Sequence, residues 1–154
     1  MVIKKSLGQN FLIDHNIARK IVKLIPGGDS LNIIEIGPGK GFLTNYLIKL
    51  KPKKLILIEK DYDLYDNLTK EYKNFDNISL FNLDALKTNI IDNVPKPKVI
   101  VSNLPYNISI KLIINWLSNI KQFNGLYLMI QKEVAYKFIY KTSIKSNRLN
   151  ILAN

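Results

Sequence analysis

The chain has 154 residues, 47% of them hydrophobic and 23% charged, a balance that sustains one folded domain with its own core and excludes a disordered chain. Its formal net charge of +11 favours an anionic partner, although nearly all of it is lysine, with arginine only at Arg19 and Arg148. Cysteine is absent, which removes disulfides, thiolate metal sites and cysteine nucleophiles, and a single histidine, His15, builds neither a histidine metal cluster nor a Ser-His-Asp triad.

The first residues, Met1–Lys5, run into the polar Ser6–Asn10 with no apolar core of a secretory signal, and no apolar run approaches the roughly 20 residues that span a bilayer. The expected compartment is the cytoplasm. Ile17, Ile21, Leu24 and Ile25 share one face of a first helix, with Asp14 as its N-cap and His15 as a solvated first-turn residue. Five short apolar runs read as buried strands: Leu31–Ile36, Leu55–Ile58, Ile78–Phe81, Val99–Val101 and Leu126–Ile130. Between them fall a helix over Phe42–Ile48, a second over Tyr62–Tyr72 capped by Asp61, and a third whose apolar face carries Ile110, Ile113, Ile114, Leu117 and Ile120. Pro95-Lys96-Pro97 stiffens the approach to the fourth strand. Strands alternating with helices predict a mostly parallel, doubly wound α/β sheet, and such sheets bind ligands outside the carboxyl ends of their strands.

The residues after each strand therefore carry the functional reading. The first strand leads into Glu35-Ile36-Gly37-Pro38-Gly39-Lys40-Gly41. Glycines at alternate positions turn the backbone tightly and clear side chains from a ligand's approach. This spacing is tighter than the G-x-G-x-x-G that cradles a pyrophosphate, and suits a ligand without phosphates. Glu59 ends the second strand, 22 positions beyond Gly37, close to the separation at which a carboxylate meets a ribose diol. Asp84 follows the third strand and either accepts from the exocyclic amine of an adenine or caps the next turn. The fourth strand ends in Ser102-Asn103-Leu104-Pro105-Tyr106. Pro105 pushes Leu104 to extended geometry, Asn103 offers a side-chain carbonyl, and Tyr106 offers a flat ring. Two carbonyl acceptors and a stacking face suit an amino group conjugated to a base.

At these motifs the sequence resembles the ribosomal RNA adenine N6-dimethyltransferase family. The resemblance runs from Lys5-Ser6-Leu7-Gly8-Gln9-Asn10-Phe11-Leu12 through Glu35–Gly41, Glu59, Asp84 and Asn103–Tyr106 to Gln131-Lys132-Glu133-Val134-Ala135. The run Asn103–Ser109 is closer to the housekeeping small-subunit enzymes than to the macrolide-resistance methylases. The resemblance implies a Rossmann-like fold that binds S-adenosyl-L-methionine and methylates two adjacent adenosines near the 3′ end of small-subunit ribosomal RNA. It implies that Asn10 and Leu12 close over the cofactor, Gly37 lies against its methionine part, Glu59 holds the ribose and Asp84 reads the adenine. Asn103 would touch cofactor and target, with Leu104, Pro105 and Tyr106 completing the catalytic set.

Residues 1–154 then form one S-adenosylmethionine-binding catalytic domain, expected to be a monomer and to lack the family's last strands and its C-terminal helical domain. Asn147 and Asn150 stand where the family's Gly-Arg-Leu-Ser stretch has glycine and serine. Lys4, Lys5, Lys40, Lys141, Lys145 and Arg148 flank the site and would contact RNA phosphates, whereas Lys51, Lys53 and Lys54 form a solvated loop. A non-catalytic RNA-binding ribosome-assembly factor, or a degraded gene product, is the alternative. A nicotinamide-dependent oxidoreductase is disfavoured by the glycine spacing.

Overall fold

Side chains of successive strand residues point to opposite faces, so a strand that is apolar throughout demands cover on both sides. Four strands of this chain, Asn32–Ile36, Lys54–Glu59, Lys98–Asn103 and Gly125–Ile130, are buried along almost their whole length. A computed structural model, which describes residues 12–141 and 149–153, arranges these and two more as six parallel strands in the order β3-β2-β1-β4-β5-β6. In chain order the elements are α1 (His15–Leu24), β1 (Asn32–Ile36), α2 (Thr44–Leu47), β2 (Lys54–Glu59), α3 (Tyr62–Tyr72), β3 (Ile78–Asn82), β4 (Lys98–Asn103), α4 (Tyr106–Ser118), β5 (Gly125–Ile130), α5 (Lys132–Lys141) and β6 (Leu149–Ala153). At the centre, Ile34 of β1 registers with Ile56 of β2 and Ile100 of β4.

Residue parity sorts the strand side chains into two cores. Ile33, Leu55, Leu57, Val99 and Met129 pack with Ala18, Ile21, Leu47 and Leu68 from α1, α2 and α3. Their neighbours Ile34, Ile56, Ile58, Ile100 and Leu128 pack with Leu112, Ile113 and Trp116 of α4 and Val134 of α5. The sheet is thus covered on both faces, as the doubly wound reading requires. Among the described residues no helix is long and apolar enough to cross a membrane.

Four expectations shift. The sequence reading counts five strands, and the structure adds β6, pairing Leu126 with Leu149 through Ile130 with Ala153. The helix expected over Phe42–Ile48 is only Thr44–Leu47, continued by a 3₁₀ turn over Ile48–Leu50. In α1 Leu24 is exposed and Ala18 takes its place on the core face. In α4 the buried face carries Ser109, Leu112, Ile113 and Trp116, while Ile114 is 54% exposed. Asp14 and Asp61 cap their helices as expected, each side-chain oxygen accepting from two backbone amides.

Candidate active site

Backbone pairing continues past the strand ends and brings the loops to one rim. The Gly37 amide donates to the Ile58 carbonyl at 2.9 Å, the Leu83 amide to the Glu59 carbonyl at 3.1 Å, and the Leu104 amide to the Met129 carbonyl at 3.0 Å. The Ser102 hydroxyl, fully buried, donates to the Ile36 carbonyl at 2.6 Å and ties β4 to β1 where both loops depart. Beyond Ile36 the turn passes through the left-handed region at Gly37 (φ +66°) and Gly41 (φ +76°), where a side chain is strained. A Cβ on Gly37 would meet nothing within 4 Å, so this face looks onto open space. A Cβ on Gly41 would collide with the Tyr72 hydroxyl, which reaches over from α3 to the Gly41 carbonyl (3.3 Å) and Asn45 Oδ1 (3.2 Å).

The open space is a cavity of about 420 Å³. Glu59 lines it, buried and held in place: Oε1 accepts from the Asp61 amide at 2.9 Å and Oε2 from the Gly39 amide at 3.1 Å. Burial pushes the Glu59 pKa up, against the pull of these amides. Across the cavity, Asp84 Oδ1 accepts from the Leu86 amide at 3.0 Å and Oδ2 pairs with the Lys60 ammonium at 3.0 Å. Partial burial opposes ionisation of Asp84, but that amide and the Lys60 charge together outweigh it and hold its pKa below the ordinary value. The turn-capping alternative for Asp84 is therefore realised, and Asp84 also lines the cavity. Asn103 and Pro105 form another part of the wall, Pro105 extended at φ −61°, ψ 141° as the residue that opens α4.

Of the residues singled out in the sequence, Leu12, Gly37, Glu59, Asp84, Asn103 and Pro105 meet around this one cavity. Leu104 and Tyr106 do not line it. The Leu104 side chain is buried in the core on the α4 side, and Tyr106 is 52% exposed in the first turn of α4. Asn10 lies outside the described residues, as do Lys4, Lys5, Lys145 and Arg148; nothing is described of the Lys141 side chain. Lys40 lines the cavity, and Lys51, Lys53 and Lys54 are exposed.

Sequence reasoning gave Glu35 no role of its own. It shares the strand parity of Ile33, so its carboxyl is carried beneath α2, where it is fully buried at the cavity floor and accepts from the Thr44 hydroxyl at 2.7 Å. Burial, with a contribution from the Glu59 charge, pushes its pKa up to about 8 despite the Thr44 bond. The signal was an acidic residue inside an otherwise apolar strand. Asn107 and Ile108 also line the cavity from α4. His15, read as solvated, is exposed but engaged: its ring tilts against Phe42 at 4.9 Å and its Nδ1 bonds to the Tyr46 hydroxyl. The acidic side chains of Glu59 and Asp84 at the cavity oppose a pyrophosphate and suit a ligand that carries positive charge, whereas Glu35, with its raised pKa, contributes a neutral polar group near pH 7.

A family model described as Ribosomal RNA adenine dimethylase matches residues 2–154. The chain belongs to the ribosomal RNA adenine dimethylase family. It is 43% identical over 145 residues to a Wolbachia protein (Drosophila simulans strain wRi) named Ribosomal RNA small subunit methyltransferase A, covering 92% of this chain and 53% of that protein. It is 42% identical over 155 residues to the protein of the same name from Pelagibacter ubique, covering 98% and 58%. This member of the dimethylase family thus spans about half the length of the curated relatives it matches. Among solved structures, a dimethyladenosine transferase from Plasmodium falciparum superposes with a TM-score of 0.72 at 34% identity, over 83% of this chain and 46% of that one. The 23S rRNA methyltransferase ErmE also gives 0.72, at 27% identity over 83% and 50%. The Rossmann-like methyltransferase fold expected from the sequence is the fold of this dimethylase chain.

Proposed function

We propose that the cavity binds S-adenosyl-L-methionine and that the chain directs its methyl group to N6 of adenosines in small-subunit ribosomal RNA, two adjacent bases near the 3′ end. The observation that carries this reading is the convergence of Gly37, Glu59, Asp84 and Asn103 on one cavity at the carboxyl rim of a parallel sheet. The residues fit the cofactor. Gly37 leaves the space that a Cβ would occupy, the Glu59 carboxylate would accept from a ribose diol, and Asp84 would face the adenine. The cofactor supplies an electrophilic methyl on a sulfonium.

The protein's task is placement. An adenine N6 lone pair is delocalised into the ring and is a poor nucleophile. The Asn103 side-chain carbonyl and the Leu104 main-chain carbonyl would accept the two N6 hydrogens and aim the nitrogen along the attack line. Holding two reactants in attack geometry contributes about 7–11 kcal/mol. As the carbon–nitrogen bond forms, the amine becomes acidic and its proton leaves to water, so no strong base is needed. The target base must leave its stack, at a cost of a few kcal/mol, and the exposed ring of Tyr106 offers a replacement surface beside Pro105 and Asn107. The basic surface favours RNA, and we place the protein, as a monomer, with ribosome assembly in the cytoplasm.

The test is titration of the full chain with S-adenosylmethionine and with NAD, followed by transfer of labelled methyl groups to small ribosomal subunits that lack the modification. S-adenosylmethionine should bind more tightly, and label should enter N6 of adenosine. Tighter NAD binding overturns the cofactor assignment, and binding without transfer leaves only an RNA-binding role. Glu59→Ala should weaken cofactor binding at least tenfold, whereas Tyr106→Ala should leave that affinity within about twofold and lower transfer. Equal losses of both quantities in both variants contradict these roles.

A further inference from the structure

Leu12 and Ile13 form the part of the cavity wall that precedes α1, and Ile13 is 79% exposed there. Leu12 is half-buried against the core on the α1 side, but the exposed Ile13 has little of its own to hold it, and ordering a free segment on each binding event costs affinity. Asp14 supplies part of an anchor, its Oδ1 accepting from the Asn16 amide at 2.7 Å and the Ile17 amide at 3.2 Å, which fixes where α1 begins. That bond is local and does not link the segment to the rest of the wall.

His15 makes the link. Its ring lies against Phe42 with centroids 4.9 Å apart and planes at 50°, and Phe42 itself lines the cavity just after the glycine turn. Its Nδ1 bonds to the hydroxyl of Tyr46 in α2, 31 residues along the chain. Tyr46 is held in turn by Phe42, 5.8 Å away, and by the Lys49 ammonium 5.0 Å over its ring. His15 and Tyr46, which do not line the cavity, therefore connect the wall before α1 to the wall after the glycine turn through Phe42, which does.

We infer that His15 is a positioning residue for the cofactor: through Phe42 and Tyr46 it holds Leu12 and Ile13 against the site in advance of binding. The inference rests on the cavity being the S-adenosylmethionine site. Because His15 is exposed, its loss acts on binding more than on folding.

The experiment measures dissociation constants for S-adenosylmethionine and S-adenosylhomocysteine by calorimetry, alongside thermal unfolding. The chains compared are the unaltered protein, His15→Ala, His15→Phe, Tyr46→Phe and the His15→Phe/Tyr46→Phe pair. His15→Ala should weaken both ligands about five- to tenfold, since it removes a ring contact and a hydrogen bond. His15→Phe keeps the ring and Tyr46→Phe breaks the same bond from the other side; each should lose about two- to fivefold, with the pair no worse than either single change. Ile21→Val, a core change on the same helix, should lower stability and leave affinity alone. Unchanged affinity in His15→Ala, additive losses in the pair, or an equal affinity loss in Ile21→Val would each overturn the inference. If the unaltered chain binds neither ligand, the cofactor assignment itself falls and carries this inference with it.

Discussion

At the scale of single residues, Glu35 has the clearest measurable signature. Its carboxyl ionises near pH 4.5 when free and near pH 8 in the fold, chiefly because burial penalises the charge. Below the lower value both states are protonated. Between the two, the unfolded chain releases a proton that the folded chain keeps, so rising pH costs stability throughout that window, and the loss levels off above it. Glu35→Gln keeps an acceptor for Thr44 and has nothing to titrate. Its melting temperature should gain on that of the unaltered chain as pH is raised from about 5 to about 8; a constant difference would show that Glu35 does not carry the shift. Two of the left-handed glycines, Gly37 and Gly41, should respond unequally. Gly37→Ala meets open space and should cost about 1–2 kcal/mol from its backbone alone. Gly41→Ala adds a collision with the Tyr72 hydroxyl and should cost more in urea unfolding, part of it recovered by adding Tyr72→Phe. The sequence made the positions of Gly37, Glu59, Asp84 and Asn103 legible because each lies at or just past the end of a strand. It could not show that Glu35 rests on Thr44, because that pairing depends on how α2 sits on the sheet.

At the scale of elements, α4 shows where periodicity stops being informative. Apolar residues occupy Ile108, Ile110, Leu112, Ile113, Ile114, Trp116 and Leu117, nearly all the way round the helix, so no single stripe stands out. The sheet chooses the face, and it chooses one containing Ser109, whose hydroxyl is satisfied by the Tyr106 carbonyl at 3.0 Å. Consequently Leu112→Ala should cost about 2–5 kcal/mol in chemical denaturation, and Ile114→Ala no more than about 0.5 kcal/mol. Comparable losses at both positions would mean that the helix is rotated from this placement. The opposite holds for α1 and α3, whose starts were legible because Asp14 and Asp61 carry the capping chemistry in their own side chains. β6 was missed because its pattern, Leu149-Asn150-Ile151-Leu152-Ala153, is short and mixed, and only its pairing with β5 identifies it as a strand.

At the scale of the whole molecule, all six strands run the same way, so Gly37, Glu59, Asp84 and Asn103 meet at the carboxyl ends of their strands, at a single end of the sheet. The other end carries turns such as the exposed Lys73–Asp76 stretch between α3 and β3. A flexible peptide inserted between Lys73 and Asn74 should leave the S-adenosylmethionine dissociation constant within about twofold of the unaltered value; a larger change would show that the two ends communicate. The polarity of the sheet therefore supplies a ready attachment point: a fluorophore or a tether to a solid support placed there would report on the protein, or hold it, with the mouth of the cavity facing away.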